Sequence, residues 1–362
     1  MSDIITLRVK KIIKQTTDAI TIVFEQGVEK IKYESGQFLT LIIDINGEEI
    51  RRAYSLCSSY YTDEDLAVTV KRVKGGKMSN YLVDTLQVGE SLQVLPAMGT
   101  FTCEVNKDFQ RHVVLLGGGS GITPLMSILK SVLSQELQSV VSLVFANTTQ
   151  RDVIFKEDLD TLRDEYKERL RVYHYFSQVE RAVRKKGFLG LSKKVVTEVP
   201  GRLTPKGLNS ILDGLYIQQG DKTEFYMCGP GGLMGTIEKA LSKRKIEKKY
   251  IHKESFDTVG IAKNDLSAIA EGEKKINLLV GGEEHKLTLK GKEPILLEVL
   301  EQGVDIPFSC QSGLCTACMG KCTSGEVQME FADALSEDQI KDGYVLTCIS
   351  KVVSEEATIE FE

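Results

Sequence analysis

Cys310-Gln311-Ser312-Gly313-Leu314-Cys315-Thr316-Ala317-Cys318 spaces three thiols as Cys-x4-Cys-x2-Cys, and a fourth, Cys348, follows after 29 intervening residues. Thiolates in that order are the ligand spacing of a plant-type 2Fe-2S cluster. The bridging sulfides of such a cluster need backbone N–H donors, so the chain between the first three ligands has to wrap closely around the metal. Ser309, Ser312, Gly313, Thr316 and Ala317 are all small enough to allow it. Other uses of the thiols fit less well. Structural zinc sites pair short Cys-x2-4-Cys knuckles, whereas Cys348 stands alone. The bacterial run Cys-x2-Cys-x2-Cys-x3-Cys-Pro fails because Ser312 holds its first cysteine position and Thr323 its proline position. Cys322 therefore reads as a spare thiol, and Cys57 and Cys103, in apolar strand-like stretches, as small core residues. Disulfides are not expected, because no secretory signal opens the sequence.

With 362 residues, 42% hydrophobic and 27% charged, the chain has room for two to three soluble domains. The opening Met1-Ser2-Asp3 lacks an apolar signal core and no stretch is long enough to span a membrane, so a cytoplasmic location is expected. Net charge is −5, yet the segment from Lys274 onward holds 16 acids against 8 lysines, a local −8. Such a surface either orients a transient electron-transfer complex or keeps a small domain soluble. A sustained basic stripe with aromatic partners is missing, which argues against nucleic-acid binding.

Ahead of the cysteines the texture changes twice. From Ile4 to Val105 short β-branched runs alternate: Ile4 to Ile12, Ala19 to Phe24, Phe38 to Ile45, an Asn46-Gly47 turn, Arg52 to Ser58, Ala67 to Val73 and Ser91 to Leu95, with a helix from Ser79. This pattern predicts a small antiparallel barrel. From about Arg111, strands His112–Leu116, Ser139–Phe145, Leu170–Phe176 and Glu224–Cys228 alternate with helices at Pro124–Ser134, Phe155–Glu165, after Thr204, and at Gly231–Lys243. That order predicts a parallel sheet covered on both faces. A glycine-rich polar stretch near Asp257 to Lys274 reads as a linker, and Ile276 to the end as a compact α+β module.

Three segments carry binding chemistry. Arg52-Ala53-Tyr54-Ser55 closes a strand with a guanidinium for phosphate, an aromatic plane and a hydroxyl. Gly75-Gly76-Lys77-Met78-Ser79 places glycines where a helix should begin, an anion site made of free N–H groups. Leu116-Gly117-Gly118-Gly119-Ser120-Gly121-Ile122-Thr123-Pro124 runs from a buried strand through a glycine turn into a helix opened by proline. Ile122 stands where a strict dinucleotide fingerprint has its third glycine, so dinucleotide binding is expected without a standard Rossmann unit. Cys228-Gly229-Pro230 then ends another strand in a tight turn, and Glu254-Ser255-Phe256 follows.

In this order the motifs resemble the ferredoxin-NADP reductase superfamily fused to a C-terminal plant-type ferredoxin, and they are similar to the reductase subunits of phenylacetyl-CoA epoxidase and related oxygenases. The resemblance implies a multidomain chain: an antiparallel β-barrel flavin domain over 1–106, an α/β parallel-sheet nicotinamide nucleotide domain over 107–257, a linker over 258–273, and an α+β β-grasp ferredoxin domain over 274–362. It implies that Arg52, Ala53, Tyr54 and Ser55 bind flavin, that Gly76, Lys77, Met78 and Ser79 hold its pyrophosphate, and that Phe101, in Pro96 to Phe101, flanks the flavin of FAD-bearing members. Gly117, Gly118, Gly119, Ser120, Gly121, Thr123, Cys228, Gly229 and Pro230 are then expected at the nicotinamide nucleotide, and Phe256 at the family's Glu-x-Phe ending. Cys310, Cys315, Cys318 and Cys348 ligate the cluster.

The expected chemistry passes electrons from NAD(P)H through FAD to the 2Fe-2S cluster and on to a terminal oxygenase or epoxidase. Ser55, Cys228 and Glu254 are the expected catalytic groups, with the nicotinamide held between Ser55 and Cys228. A reductase for an acyl desaturase or a hybrid-cluster protein is an alternative, as is a stand-alone diaphorase. For coenzyme choice, Asn147-Thr148-Thr149 lacks the acid that binds a ribose 2′-OH, whereas Ser177 and Arg181 can meet a 2′-phosphate, so NADPH is expected over NADH. The insertion Arg184 to Lys194 mixes basic clusters with apolar residues and reads as a solvated loop or a contact for a partner or membrane surface.

Overall fold

The computed structural model describes residues 4–27, 30–178, 196–215, 222–256, 264–266, 269, 271–332 and 334–361. Arg181 and the 184–194 insertion lie outside the described residues.

The first body is a six-stranded antiparallel sheet made of β1 (Ile5–Lys14), β2 (Ala19–Phe24), β3 (Phe38–Ile45), β4 (Glu48–Ser55), β5 (Leu66–Lys71) and β6 (Ser91–Val94) in the order β4-β3-β6-β1-β2-β5. A bridge between Leu56 and Val68 brings its two edges together. Asn46 and Gly47 both adopt positive φ, 59° and 82°, the tight turn whose twist matches a hairpin. Strand β4 therefore resumes at Glu48 rather than at Arg52. Two exposed glutamates hid its start. Leu41, Ile22, Phe24 and Leu66 fill the core with no exposed surface, each contributing roughly 1.5–3 kcal/mol of burial.

The second body is a parallel sheet of β7 (His112–Gly118), β8 (Val140–Asn147), β9 (Leu170–Phe176), β10 (Val196–Pro200), β11 (Thr223–Cys228) and β12 (Ile251–Glu254), ordered β10-β9-β8-β7-β11-β12. Val113 and Leu115 pack toward α2 (Ile122–Gln135) and α3 (Lys156–Glu165), Val114 and Leu116 toward α4 (Pro205–Gly214) and α5 (Gly231–Lys243). This alternation buries both faces, as a parallel sheet requires. The chain order reverses between β7 and β11, and a crevice at such a switch point is where ligands bind in open α/β sheets. Strands β10 and β12, which hydrophobic pattern alone does not mark, are the edges of the sheet, and Pro200 is tolerated there because an edge strand can lack a donor.

The third body orders β14 (Glu283–Leu289), β13 (Lys274–Val280), β19 (Glu356–Phe361), β15 (Met319–Ser324) and β17 (Tyr344–Leu346) in one mixed sheet, with β13 and β19 parallel. Helix α6 (Ile295–Glu301) lays Ile295, Leu296 and Val299 across it. A two-stranded ribbon of β16 (Val327–Met329) and β18 (Ser350–Val352) completes the module, with the short helix α7 (Glu337–Lys341) leading into β17.

The bodies touch through specific groups. Arg111, just before β7, forms ion pairs with Glu136 at 2.7 Å and Glu224 at 2.6 Å and also donates to the Glu104 carbonyl of the first body. On the other side, Thr40 of β3 is hydrogen-bonded to Ser309, and the Arg51 guanidinium lies 4.3 Å over the Phe308 ring.

Candidate functional site

Cys310, Cys315, Cys318 and Cys348 are all buried. Their thiols pair two by two, Cys310 with Cys315 and Cys318 with Cys348. The neighbouring Cys315 thiol, together with the Ser312 hydroxyl and the N–H groups of Ser312 and Leu314, pulls Cys310 below the ordinary thiol range against its burial. Cys318 is likewise drawn down by Cys348. Among the described residues no three His, Cys, Asp or Glu side chains converge on one ion. Two thiol pairs with amides aimed at sulfur suit two irons, each taking two thiolates, better than one tetrahedral metal. Gly313 makes the wrap possible: its φ is +70°, and an added Cβ would sit 2.6 Å from Ile349 and 2.8 Å from Phe331. Cys322 lies apart on β15, half-buried, its thiol 3.3 Å from the Ser324 carbonyl.

A cavity of about 540 Å³ opens beside this loop, within the range of cofactor clefts. Arg52, Ala53, Tyr54 and Ser55 line it from the end of β4, and Gly76, Lys77, Met78 and Ser79 from the opposite side. Helix α1 (Lys77–Asp84) begins at Lys77 with Gly76 as its N-cap, so Ser79, expected to open it, is its third residue. The Ser79 hydroxyl accepts from the Val73 N–H at 3.1 Å and so ties the turn shut. Ser120, Thr123 and Phe256 enter from the second body, and Ser312 and Leu314 from the cysteine loop. Thr69, Lys71 and Val73 also line the cavity and were not singled out from sequence. Thr69 and Lys71 share one face of β5, and Val73 follows two residues beyond its end, so this every-second-residue spacing was the available signal.

Two smaller cavities, of about 140 and 70 Å³, continue from it between Phe38, Glu254, Ser255, Leu314 and Cys315. Arg52, Ser55, Phe256, Ser312 and Leu314 are shared by the 540 and 140 Å³ spaces, so the two adjoin. Glu254 closes the seam between the first two bodies, where its carboxylate accepts from the Ser55 hydroxyl at 3.4 Å. Burial pushes this carboxyl up to about 8, and the Ser55 hydrogen bond offsets only part of the rise.

The glycine turn meets the end of β11 at the switch point. Cys228 pairs in register with Gly117 on one side and Glu254 on the other. A Cβ on Gly121 would fall 2.1 Å from the Cys228 carbonyl oxygen, and Gly119 holds φ +55°, so backbone packs directly on backbone here. Cys228 itself is fully buried beneath the turn. Gly118 and Gly229 pack against Leu233, and Pro230 is the N-cap of α5. Phe101 is buried, packed edge-on against Tyr226 at 5.8 Å, and reaches the 70 Å³ cavity. Ser177 stands at the carboxyl end of β9, its N–H donating to the Asn147 carbonyl at 3.0 Å.

Three family descriptions match the chain in order: oxidoreductase FAD-binding domain over residues 5–103, oxidoreductase NAD-binding domain over 115–239, and 2Fe-2S iron-sulfur cluster binding domain over 278–353. The chain is 35% identical to the 3-ketosteroid-9-alpha-monooxygenase ferredoxin reductase component of Rhodococcus rhodochrous, with 99% of this chain and 97% of the relative covered. It belongs to the oxygenase ferredoxin reductases. The reductase is also 31% identical to a component of the 1,2-phenylacetyl-CoA epoxidase of Escherichia coli K12, covering 99% of this chain and 97% of that one. Its fold is similar to that of phthalate dioxygenase reductase, with TM-score 0.61 at 23% identity, covering 99% and 98% of the two chains. The reductase is an NAD(P)H-dependent flavin and iron-sulfur oxidoreductase with FAD and 2Fe-2S as its cofactors, and it serves electron transfer from NAD(P)H to a partner protein. Among the described residues no helix is long and apolar enough to cross a membrane.

Proposed function

We propose that the reductase supplies electrons to a terminal oxygenase or epoxidase, with residues 1–106, 107–257 and 274–362 as the flavin, nucleotide and cluster domains. The observation that carries this reading is the convergence of all three bodies on adjoining cavities, where Ser55, Glu254 and Phe256 face Ser312, Leu314 and the Cys310–Cys315 pair. FAD in the 540 Å³ cavity would supply a carrier that takes two electrons from NAD(P)H together and releases them singly, and a cluster held by Cys310, Cys315, Cys318 and Cys348 would supply a one-electron acceptor beside it.

The chain's own groups prepare that chemistry. Arg52 offers a guanidinium to a phosphate, and the N-terminal amides of α1 behind Gly76 offer N–H donors. Tyr54 and Phe256 present rings to the cavity. Glu254, its carboxyl kept protonated by burial, accepts from the Ser55 hydroxyl through Oε2, and the backbone contact between Gly121 and Cys228 shapes the nucleotide crevice. Ser177 and the Asn147-Thr148-Thr149 sequence favour NADPH. The eight cysteines form no disulfide among the described residues, which suits a reducing cytoplasm.

Reduction by NADPH followed by electron paramagnetic resonance tests the scheme. The unsubstituted chain should give the rhombic signal of a reduced 2Fe-2S cluster, and Cys315→Ser should abolish it while NADPH still bleaches the flavin absorbance. Cys322→Ser should keep the signal. Loss of flavin bleaching in Cys315→Ser would overturn the division of labour, and a lower KM for NADH than for NADPH would overturn the coenzyme choice.

A further inference from the structure

The cysteine loop meets the flavin body along a mostly apolar seam. Phe38, Ala53 and Met98 on one side pack against Cys310, Cys315, Leu314 and Ala317 on the other. Within this mostly apolar contact sits one pair of hydroxyls, Thr40 Oγ1 and Ser309 Oγ, hydrogen-bonded across 269 residues of sequence. Thr40 is 0% and Ser309 1% exposed. A buried hydroxyl is costly unless bonded, so each of these groups makes the other tolerable only while the two bodies are aligned. An apolar patch slides with little penalty. A buried hydrogen bond does not, because its geometry is lost within a fraction of an ångström.

Ser309 immediately precedes the ligand Cys310, and Thr40 lies on β3 opposite Ala53, next to the flavin-binding end of β4. Neither residue lines the cofactor cavities. We infer that the Thr40–Ser309 pair is a positioning device that fixes the cluster loop in register over the flavin cavity and thereby sets the rate of electron transfer between the two cofactors. This inference rests on the functional reading above. The transfer it governs moves one electron from flavin reduced by NAD(P)H to the oxidised cluster, and no bond forms or breaks.

Stopped-flow reduction of the cofactor-loaded full chain resolves the two steps. Thr40→Val should leave NAD(P)H-driven flavin bleaching, ferricyanide reduction and the cluster's resonance signal unchanged while slowing the cluster-reduction phase about tenfold, the factor corresponding to 1.4 kcal/mol. Thr40→Ser, which restores the hydroxyl, should recover the rate. Because Ser309 is orphaned in Thr40→Val, adding Ser309→Ala should slow the phase no further, a non-additivity expected only of groups in direct contact. Unchanged cluster reduction in Thr40→Val, or effects of the two substitutions that multiply, would overturn the inference. Failure of the functional reading would look different, since the unsubstituted chain itself would then show no NAD(P)H-driven flavin phase.

Discussion

Glu254 shows how one residue gains its chemistry from where the chain ends a strand. The sequence marks it as an expected catalytic group through the Glu-x-Phe ending, but shows neither its burial nor its contact. Only the pairing of β12 with β11 places it against Ser55, 199 residues away. Raised from the ordinary 4.5 to about 8, the group holds its proton more tightly in the folded chain. The associated stabilisation is complete below pH 4.5 and is lost as the pH rises through 8, on the order of a few kcal/mol. Denaturant unfolding between pH 5 and 9 should therefore show stability falling for the unsubstituted chain and a flatter profile for Glu254→Gln. Parallel profiles for the two chains would refute the shifted carboxyl. The cysteine ligands were legible for the opposite reason, since cluster chemistry fixes their spacing along the chain itself.

Among the elements, the glycine turn before α2 is the most tightly specified. Four glycines in a short run announce close backbone approach, and the sequence says so without help. What they approach is not legible, because the Cys228 carbonyl arrives from a strand more than a hundred residues later. Gly121→Ala would drive a methyl group to 2.1 Å from that oxygen, and neither partner is a flexible side chain that can yield. The substitution should destabilise the chain by at least about 1–3 kcal/mol and raise the KM for NAD(P)H, because the crevice has to widen. An alanine variant with wild-type KM and thermal midpoint would show that the turn tolerates displacement. Strands β10 and β12 escaped detection because each has one strand neighbour, so neither carries the continuous apolar run of a central strand.

At the scale of the whole molecule, three bodies were legible from changes in hydrophobic period, but their mutual placement was not. Arg111 illustrates why. In sequence it is a basic residue ahead of a strand; in the fold it is only 9% exposed, with Glu136 fully buried beside it. Burial opposes the charge on Glu224, yet His252 Nε2 at 3.2 Å, the charge of Arg111 and the Tyr226 hydroxyl, which donates at 2.8 Å, hold that carboxyl down at about 2. Arg111→Met removes the partner of a buried carboxylate and should cost about 3–5 kcal/mol in denaturant unfolding. A loss below about 1 kcal/mol would mean that Glu136 finds another donor or takes up a proton.

The seam around Thr40 and Ser309 joins two modules of one polypeptide. Two separate proteins would have to find this alignment by diffusion. Joined in one polypeptide, the cluster module faces the flavin module at an effective concentration in the millimolar range. The covalent tether thus supplies the encounter, and the Thr40–Ser309 pair is left to supply the alignment.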